Sequence, residues 1–446
     1  MTGPPDPGLA QVEQELTRRW PESTMQPSLD RIAALTGLLG DPQHSVPSVH
    51  VTGTNGKTST ARMIDALLLE TGLRTGRYTS PHLQSVTERI CISGRPLDPE
   101  RFTVIYNELV PYLDLVDAAQ PHPLSFFEVL TAMAFAAFAD APVDVAVLEV
   151  GLGGRWDATN VVDAAVAVVT PIALDHQRWL GETIAAIAGE KSGIIKPGAL
   201  AILAAQPLAA AQVLLRHAVE VGASVAREGL EFGVLERTVA VGGQQLHLRG
   251  LAGDYPAVLL PLYGAHQASN AACALAAVEA FTGGSDLDPE LVRAGFAAVR
   301  SPGRLEVLRR RPTILVDAAH NPAGAQALAA AVAEAFSFER IIGVVGVLAD
   351  KDVREMLVVL ESTIDVIVVT ESSSPRALAA GALAVRAVEV FGAERVEVVP
   401  RLDDALEVAM QLADDAGLGA GGAAVLVTGS IVTVGEARLL LGAGPV

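Results

Sequence analysis

The chain has 446 residues, of which 50% are hydrophobic and only 4% aromatic, and its formal net charge is -19. This length exceeds one ordinary hydrophobic core and predicts two domains, while the apolar content argues against disorder. The negative charge and the scarcity of aromatic side chains disfavour a nucleic-acid partner, because phosphates would be repelled and bases would find few stacking surfaces.

The N-terminal stretch MTGPPDPGLAQVEQE has neither a basic start nor an apolar core, so no signal peptide is expected. No run of about 18 uncharged apolar residues occurs, which predicts no membrane span. Cys91 and Cys273 lie far apart and give neither a metal-ligand spacing nor a disulfide framework. We expect two buried or inert thiols in a cytoplasmic enzyme.

Short runs rich in Val, Ile and Leu recur along the chain and predict strands buried on both faces, at 46–51, 143–148, 164–169, 313–316, 341–347, 364–369 and 423–427. Longer Ala- and Leu-rich stretches between them predict helices over 57–70, 126–139, 266–281 and 322–336. This alternation is typical of parallel sheets in an α/β protein. Candidate functional residues directly follow the strands, where open parallel sheets bind ligands: Gly53, Glu149, Asp175, Asp317, Asp350, Glu371 and Gly429.

A domain boundary is predicted at 301–304 (SPGR), where Pro and Gly separate a helical pattern from a new strand. We expect a P-loop ATP-binding domain over residues 1–300 and a smaller Rossmann-like α/β domain over 301–446. Residues 225–262 alternate apolar and polar side chains and predict a β subregion, with a hairpin turn at Gly242-Gly243.

The segment HVTGTNGKTST leaves a predicted strand and enters a predicted helix. Gly53 and Gly56 permit a tight turn whose N–H groups point inward, at the positive end of the helix dipole. Lys57 supplies a cation for the outer phosphates of ATP, and Thr58 or Ser59 supplies a hydroxyl for Mg²⁺. An ordinary turn that caps a helix is the alternative, but it needs neither the lysine nor the hydroxyls.

The chain resembles the folylpolyglutamate synthase/dihydrofolate synthase family, of the bifunctional bacterial type, within the Mur ligase superfamily. Its loop Gly53-Thr54-Asn55-Gly56-Lys57 has the form found in both Mur ligases and folylpolyglutamate synthases. Further segments resemble the latter family and follow in its order: Thr79-Ser80-Pro81-His82-Leu83, Leu148-Glu149-Val150-Gly151-Leu152-Gly153-Gly154-Arg155, Asp157-Ala158-Thr159-Asn160, Leu174-Asp175-His176, Gly189-Glu190-Lys191-Ser192-Gly193-Ile194, Ser301-Pro302-Gly303-Arg304 and Asp317-Ala318-Ala319-His320-Asn321-Pro322.

The resemblance implies that Ser80, Glu149 and His176 bind metal, with the hydroxyl of Thr58 near the nucleotide-bound Mg²⁺ ion. Taken alone, Glu149 reads as a solvated strand end and His176 as a hydrogen-bonded structural histidine. A buried carboxylate beside a phosphate loop favours the metal interpretation, because an unpaired buried charge is unfavourable.

Lys191 is implied by the resemblance to be carbamylated by CO₂ and to hold a second Mg²⁺. Carbamylation replaces a cation by a carboxylate-like group. Sequence physics alone favours an ordinary lysine at a helix end or in a salt bridge.

The resemblance also implies a pocket for the pteridine-containing substrate, formed by Ser125, Phe126, Phe127 and Glu128 with Trp156, Asp157 and Ala158. Flat pterin rings can stack on Phe and Trp side chains. Ordinary core packing is the alternative for each Phe. Residues 25–31 (MQPSLDR) resemble a further part of the dihydropteroate site.

The second half is implied to complete the nucleotide site. Asn270, Arg304 and Asp317 match positions that contact the base, phosphates and ribose, and Arg304 can reach a phosphate across a domain cleft. His320 is expected near the glutamate and phosphate region. Lys351 and residues 373–376 are weaker candidates for glutamate recognition.

The implied reaction is ATP-dependent ligation of L-glutamate to dihydropteroate, to reduced folates, or to both, through an acyl phosphate. ATP, two Mg²⁺ ions and carbamylated Lys191 are the expected cofactors, Lys57, Lys191 and His320 the expected catalytic residues, and a monomer the expected state. Two alternatives are another Mur ligase relative and a nucleotide switch that hydrolyses ATP only to change conformation.

Overall fold

A computed structural model describes residues 7–20, 26–415 and 422–444. Residues 1–6 of the N-terminal stretch and Met25 of the 25–31 segment lie outside these ranges. The first half runs in chain order as α1 (Pro7–Arg18), α2 (Asp30–Leu38), β1 (Ser48–Thr52), α3 (Lys57–Glu70), β2 (Thr75–Tyr78), β3 (Ile90–Ile92), β4 (Arg95–Pro96), α4 (Pro99–Ala119), α5 (Phe126–Asp140), β5 (Val145–Glu149), β6 (Val166–Val169), α6 (Gln177–Leu180), α7 (Ile184–Lys191), β7 (Leu200–Leu203), α8 (Leu208–Val221), β8 (Ser224–Arg227), β9 (Gly233–Ala240), β10 (Gly243–Arg249), β11 (Asp254–Leu260), α9 (Ala265–Phe281) and α10 (Pro289–Ala298).

The second half continues as β12 (Glu306–Arg310), β13 (Thr313–Asp317), α11 (Pro322–Ala335), β14 (Arg340–Val345), α12 (Val353–Glu361), β15 (Val366–Val369), α13 (Ala380–Phe391), β16 (Val396–Val398), α14 (Leu402–Asp415), β17 (Ala423–Thr428) and α15 (Ile431–Leu440). Short 3₁₀ helices lie at Pro42–His44, Val86–Arg89, Ala158–Val161, Ser192–Ile194 and Ala393–Arg395.

The first half is built on an eight-stranded sheet in the order β4-β3-β2-β5-β1-β6-β7-β8. β2, β5, β1, β6, β7 and β8 are parallel, and β3 and β4 form an antiparallel edge. In the central register Val51 pairs with Glu149 and Thr52 with Val169. The loops after β1, β5 and β6 therefore leave the sheet side by side.

Helices cover both faces of this sheet, as its apolar strands require. Helices α1, α2, α4 and α5 share one buried cluster, and α3, α9 and α10 share another with the three-stranded sheet. Helix α9 is rich in Ala, so its backbone can lie close to α3 while packing against β9. Helix α3 packs against α9, α10 and the main sheet. These contacts fix the position of its first turn, which follows the phosphate loop.

The predicted β subregion is a three-stranded antiparallel sheet in the order β11-β10-β9. Gly243 pairs with Ala240, so Val241-Gly242 forms the turn, with Gly242 at a φ of 82°. The predicted start at residue 225 is wrong, because residues 225–227 belong to β8 of the main sheet. β8 is a partly buried edge strand with only one buried residue, Ala226, so in sequence it resembles a strand of an exposed hairpin.

The second half has a six-stranded sheet in the order β12-β13-β17-β14-β15-β16, parallel except for β12. Its two faces carry separate apolar clusters, as in a doubly wound fold. Among the described residues, no strand of one half pairs with a strand of the other. We propose residues 301–304, between α10 and β12, as the domain boundary.

The predicted α/β class, the long apolar strands and the four predicted helices are confirmed. The strands β2, β3, β4, β7, β12 and β16 were not predicted. Cys91 and Cys273 are both free and buried, as expected. Within the described residues, every helix is too short or too polar to cross a membrane.

Candidate active site

The phosphate loop joins β1 to α3, and both of its glycines are required by geometry. Gly53 has a φ of 146° and Gly56 a φ of 90°, values that favour glycine. A Cβ at Gly53 would lie 1.8 Å from Thr170 Oγ1, and one at Gly56 would lie 2.5 Å from Asn270 Oδ1. Lys57 is the first residue of α3, and its Nζ donates to the carbonyl of Gly53 at 3.2 Å.

The loop is fixed to the segment after β6 by two threonines. The N–H of Thr54 donates to the carbonyl of Pro171 at 3.0 Å, and its Oγ1 bonds both backbone groups of Ala173 at 3.1 and 3.0 Å. Thr170 Oγ1 donates to the carbonyl of Asn55 at 2.8 Å. Sequence reasoning missed Thr170, although its place at the end of a buried strand was a usable signal.

Glu149 lies beside the loop, where the structure brings together Thr58 and Ser80. Thr58 Oγ1 donates to Glu149 Oε1 at 2.8 Å, and the Ser80 N–H donates to Glu149 Oε2 at 3.2 Å. Glu149 is 1% exposed, and this burial raises the pKa of its carboxyl, against the opposing effect of Lys57. A buried carboxylate without a full countercharge favours a bound cation.

The donor set around Glu149 fits Mg²⁺, which takes oxygen ligands and keeps waters and phosphate oxygens in its shell. Within the described ranges, no three His, Cys, Asp or Glu side chains are grouped closely enough to hold a metal by themselves. Hydroxyls such as those of Thr58 and Ser80, together with nucleotide phosphates, would therefore complete such a site.

Lys191 ends α7 and points into the same region. Its Nζ is buried and donates to the carbonyl of Gly53 at 2.7 Å, so two lysines converge on one carbonyl. Burial, with Lys57 nearby, lowers the pKa of Lys191 to about 7. The amine is therefore substantially neutral at neutral pH, the form that reacts with CO₂.

Asp175 follows β6 and joins both halves of the protein. Lys351 Nζ of the second half donates to Asp175 Oδ1 at 2.8 Å and lies 3.5 Å from His176 Nε2. His320 Nε2 lies 3.7 Å from Asp175 Oδ2, while its Nδ1 is 2.9 Å from the carbonyl of Ala318. Burial lowers the pKa of His176 and of His320 to about 4, so both rings are neutral at pH 7.

The glycine turn that follows β5 contacts two aromatic side chains, Phe127 of α5 and Trp156, which we call the aromatic wall. A Cβ at Gly151 would meet the ring of Phe127 at 2.6 Å, and one at Gly153 would lie 3.5 Å from Trp156. The carbonyl of Gly153 accepts a hydrogen bond from Thr52 Oγ1 at 2.7 Å. The glycine turn thus contacts both rings, which pack against separate apolar clusters, and it is hydrogen-bonded to the end of β1. Phe126 contacts Arg89 instead, with the guanidinium 5.0 Å from the ring centre.

The polar members of the predicted pterin pocket are engaged by the protein itself. Ser125 and Glu128 form a capping box at the start of α5, and Glu128 also accepts from Arg31 at 3.0 Å. That ion pair joins the predicted segments 25–31 and 125–128. Asp157 accepts from the N–H groups of Leu152 and Thr159 at 2.9 and 3.0 Å. Ala158 is part of the core. The contacts of Ser125 and Glu128 fix the start of α5, which carries Phe127, and the contacts of Asp157 fix the turn next to Trp156.

Of the predicted nucleotide contacts, Asn270 lies on α9 of the first half, Arg304 lies in the proposed boundary segment, and Asp317 ends β13 of the second half. Asn270 Oδ1 packs against Gly56. Asp317 accepts from the N–H groups of Leu305 and Ala319 at 2.8 Å each, which fixes the turn that carries Arg304. Burial raises the pKa of Asp317, and Arg304 opposes that rise.

Ser59 has a different position from Thr58, because it points into the protein. Its hydroxyl lies 3.1 Å from Ser301 Oγ in the proposed boundary segment. Thr58 is therefore the hydroxyl at Glu149. Of residues 373–376, Ser373 is hydrogen-bonded to Glu436, and Arg376 pairs with Asp350, the neighbour of Lys351 in sequence.

Comparison with known proteins agrees with this architecture. The Mur ligase middle domain model matches residues 51–278, and the Mur ligase glutamate ligase domain model matches residues 303–431. The dihydrofolate synthase/folylpolyglutamate synthase of Mycobacterium tuberculosis is 53% identical over 100% of this chain and 99% of its own length. The Escherichia coli enzyme of that name is 35% identical over 77% of each chain.

Solved structures show the same similarity. Folylpolyglutamate synthase of Mycobacterium tuberculosis complexed with ADP has a TM-score of 0.95 at 54% identity, covering 98% of this chain and 99% of its own. An Escherichia coli relative in complex with DHPP and ADP has a TM-score of 0.83 at 32% identity, covering 98% of each chain.

A phosphate loop at the end of a parallel sheet, followed by a matching glutamate ligase domain, defines an amide-forming ligase of the Mur type that binds adenine nucleotide. The similarity extends over the full chain and through both halves. Within that class, the chain belongs to the dihydrofolate synthase/folylpolyglutamate synthase family.

Proposed function

We propose that this enzyme uses ATP to ligate L-glutamate to dihydropteroate and to reduced folates. The observation that carries the proposal is the junction at the end of β1, where Thr52 connects the start of the phosphate loop to the glycine turn that contacts Phe127 and Trp156. A flat ring at this wall would direct its carboxylate toward a nucleotide held at Lys57. Phosphoryl transfer then gives an acyl phosphate, and the glutamate amine displaces phosphate to form the amide.

Positioning and charge neutralisation carry the first step, since phosphoryl transfer needs little covalent chemistry from the protein. Lys57 faces the outer phosphates from the start of α3, and Arg304 approaches from the boundary segment. Asn270 and Asp317 hold the turns that border the nucleotide. Asp317 does so through backbone contacts, so its predicted ribose contact requires an additional interaction.

Thr58, Ser80 and Glu149 would hold one Mg²⁺, and His176 with carbamylated Lys191 would hold a second. Bound Mg²⁺ neutralises charge on the transferring phosphoryl group. The neutral state of Lys191 supports carbamylation, because only an unprotonated amine adds CO₂. The carbamate would leave the carbonyl of Gly53 and place two oxygens near the loop.

The second step requires an unprotonated glutamate amine near the acyl phosphate. His320 is neutral, and the contact between its Nδ1 and a carbonyl leaves Nε2 as the proton acceptor. We propose that Nε2 takes a proton from the attacking amine. We propose that Lys351, which joins the two halves at Asp175, binds a glutamate carboxylate. Closure of the two halves would exclude water from the acyl phosphate.

The deciding assay measures glutamate-dependent ADP release with dihydropteroate and, separately, with tetrahydrofolate. Turnover with both supports the proposal, and turnover with tetrahydrofolate alone restricts the enzyme to tail extension. ADP release that ignores glutamate would indicate a nucleotide switch and refute the proposal.

We also propose that the enzyme acts as a monomer, which sedimentation velocity at assay concentration tests directly. A dimer that persists at the lowest measurable concentration would contradict this. The cytoplasmic location expected from the sequence stays a prediction, to be tested by fractionation.

A further inference from the structure

The phosphate loop and the second half meet through a reciprocal pair of side-chain amides. Asn55 Nδ2 donates to Asn321 Oδ1 at 3.2 Å, and Asn321 Nδ2 donates to Asn55 Oδ1 at 3.1 Å. Asn55 belongs to the loop and Asn321 is the N-cap of α11, so the pair connects residues 266 positions apart. Each amide serves the other as donor and acceptor.

The environment of Asn321 fixes the orientation of both amides. Its Oδ1 also accepts from the N–H of Gly324 at 2.7 Å, and its Nδ2 also donates to Asp175 Oδ2 at 2.9 Å. A flipped amide would place NH₂ against the Gly324 N–H and oxygen against a carboxylate. Asn321 is 2% exposed and uses its full hydrogen-bonding capacity, so Asn55 can pair with it in one way only.

These contacts specify asparagine at both positions. Aspartate at 55 could not donate to Asn321, and aspartate at 321 would face the carboxylate of Asp175. The pair is adjacent to His320 in sequence and shares Asp175 with Lys351. A movement of the loop would therefore move the residues that the proposed function assigns to glutamate.

We infer that Asn55 and Asn321 are positioning residues that couple the phosphate loop to the glutamate side of the active site. The pair fixes the position of the second half relative to the loop. A nucleotide bound at the loop and a glutamate bound at His320 and Lys351 would therefore lie at a fixed distance from each other. This inference rests on the proposed function. The competing interpretation is that Asn55 only shapes its own turn and Asn321 only caps α11.

A double-mutant cycle tests the coupling, with Asn55→Ala, Asn321→Ser and both together. Serine retains a good helix N-cap but cannot reach Asn55, so the cap is separated from the pair. Asn107→Ala, at an exposed position on α4, is the control for an unrelated asparagine. The readouts are the ADP dissociation constant and the kcat and KM for glutamate.

Each single variant is expected to lower kcat/KM for glutamate roughly tenfold, within the range of coupling between contacting residues. For Asn321→Ser, which lies outside the phosphate loop, ADP affinity should change by less than about twofold, and the double variant should be no worse than either single variant in kcat/KM for glutamate. Three results would each overturn the coupling. They are losses of kcat/KM that multiply in the double variant, wild-type kinetics of Asn321→Ser, and a loss of ADP affinity in Asn321→Ser as large as its loss of kcat/KM for glutamate.

Hydrogen exchange at the amides of residues 53–57 gives a readout that needs no turnover. Asn321→Ser should accelerate hydrogen exchange in this loop, which is distant from residue 321 in sequence. Unchanged exchange overturns the inference. If wild-type enzyme shows no glutamate-dependent ADP release, the proposed function fails, whereas the exchange result still decides whether the pair holds the loop.

Discussion

Lys191 should be carbamylated, and its reactivity should depend on pH in a way that its burial determines. An amine with the ordinary pKa of 10.5 is neutral in roughly one molecule in 3,000 at pH 7. Burial lowers the pKa of Lys191 to about 7, so roughly half of these amines are neutral at that pH. The reactive fraction is therefore about a thousandfold larger than for an exposed lysine.

The assay uses enzyme depleted of CO₂ and then given ¹³C-bicarbonate. We expect a carbamate carbonyl signal in the wild type, its absence in Lys191→Met, and recovery of glutamate-dependent ADP release on the same timescale. At a fixed concentration of dissolved CO₂, the rate of recovery should fall about fivefold between pH 7 and pH 6, because the neutral fraction of the Lys191 amine falls from about a half to about a tenth. Full activity without CO₂, or a titration midpoint near that of free lysine, would refute the reasoning.

The same burial predicts an effect on stability, whose sign follows from proton binding. Between pH 7 and 10.5 the unfolded state binds more protons at this lysine than the folded state does, so stability rises with pH across that window. The loss of stability caused by burying the protonated Lys191 amine is fully present below pH 7. Lys191→Met should therefore have a higher Tm than wild type at pH 6, and this advantage should shrink by pH 10, as measured by thermal denaturation without CO₂.

Three further substitutions test the nucleotide site and one tests the wall. Lys57→Ala should lower kcat about 100-fold or more with an unchanged Tm, since it removes a preorganised cation; retained activity at saturating ATP would contradict the assignment. Glu149→Gln should abolish Mg²⁺-dependent turnover without lowering Tm, because the amide can bond both partners and carries no buried charge; wild-type Mg²⁺ titration would make Glu149 structural. Gly56→Ala should weaken ADP binding in calorimetry through a clash with Asn270; unchanged affinity would show that the loop can shift. Phe127→Ala should raise KM for dihydropteroate and leave ADP affinity unchanged, and the reverse pattern would remove it from the pocket.

The sequence predicted the features that depend on local chemistry. Consecutive apolar residues identified the buried strands, and the spacing of Gly53, Gly56 and Lys57 identified the loop. Both patterns involve residues that are close together in sequence, so a short segment is enough to recognise each of them. The short strand β8 was misplaced, since an edge strand buries only part of its surface and its pattern resembles that of a hairpin.

Long-range pairing was not predictable from the same patterns. Arg31 and Glu128 are separated by 97 positions, and Asp175 and Lys351 by 176, so nothing local shows that they meet. Without these partners Glu128 reads as a substrate contact. In the structure it completes a capping box and a buried ion pair. Asp175 was identified as a polar residue after a strand and as part of the segment Leu174-Asp175-His176, but neither signal showed that it joins the two halves.

The convergence of Lys57 and Lys191 on the carbonyl of Gly53 has a consequence for the order of events. Each ammonium group disfavours the charged form of the other, and this repulsion adds to burial in keeping Lys191 neutral. Nucleotide phosphates would engage Lys57 and draw both lysines toward their protonated states. We therefore expect CO₂ to add first: enzyme incubated with bicarbonate before ATP should start without a lag, and the reverse order should show one. The nucleotide-free enzyme is thus the form that reacts with CO₂, and ATP binds after Lys191 has been carbamylated.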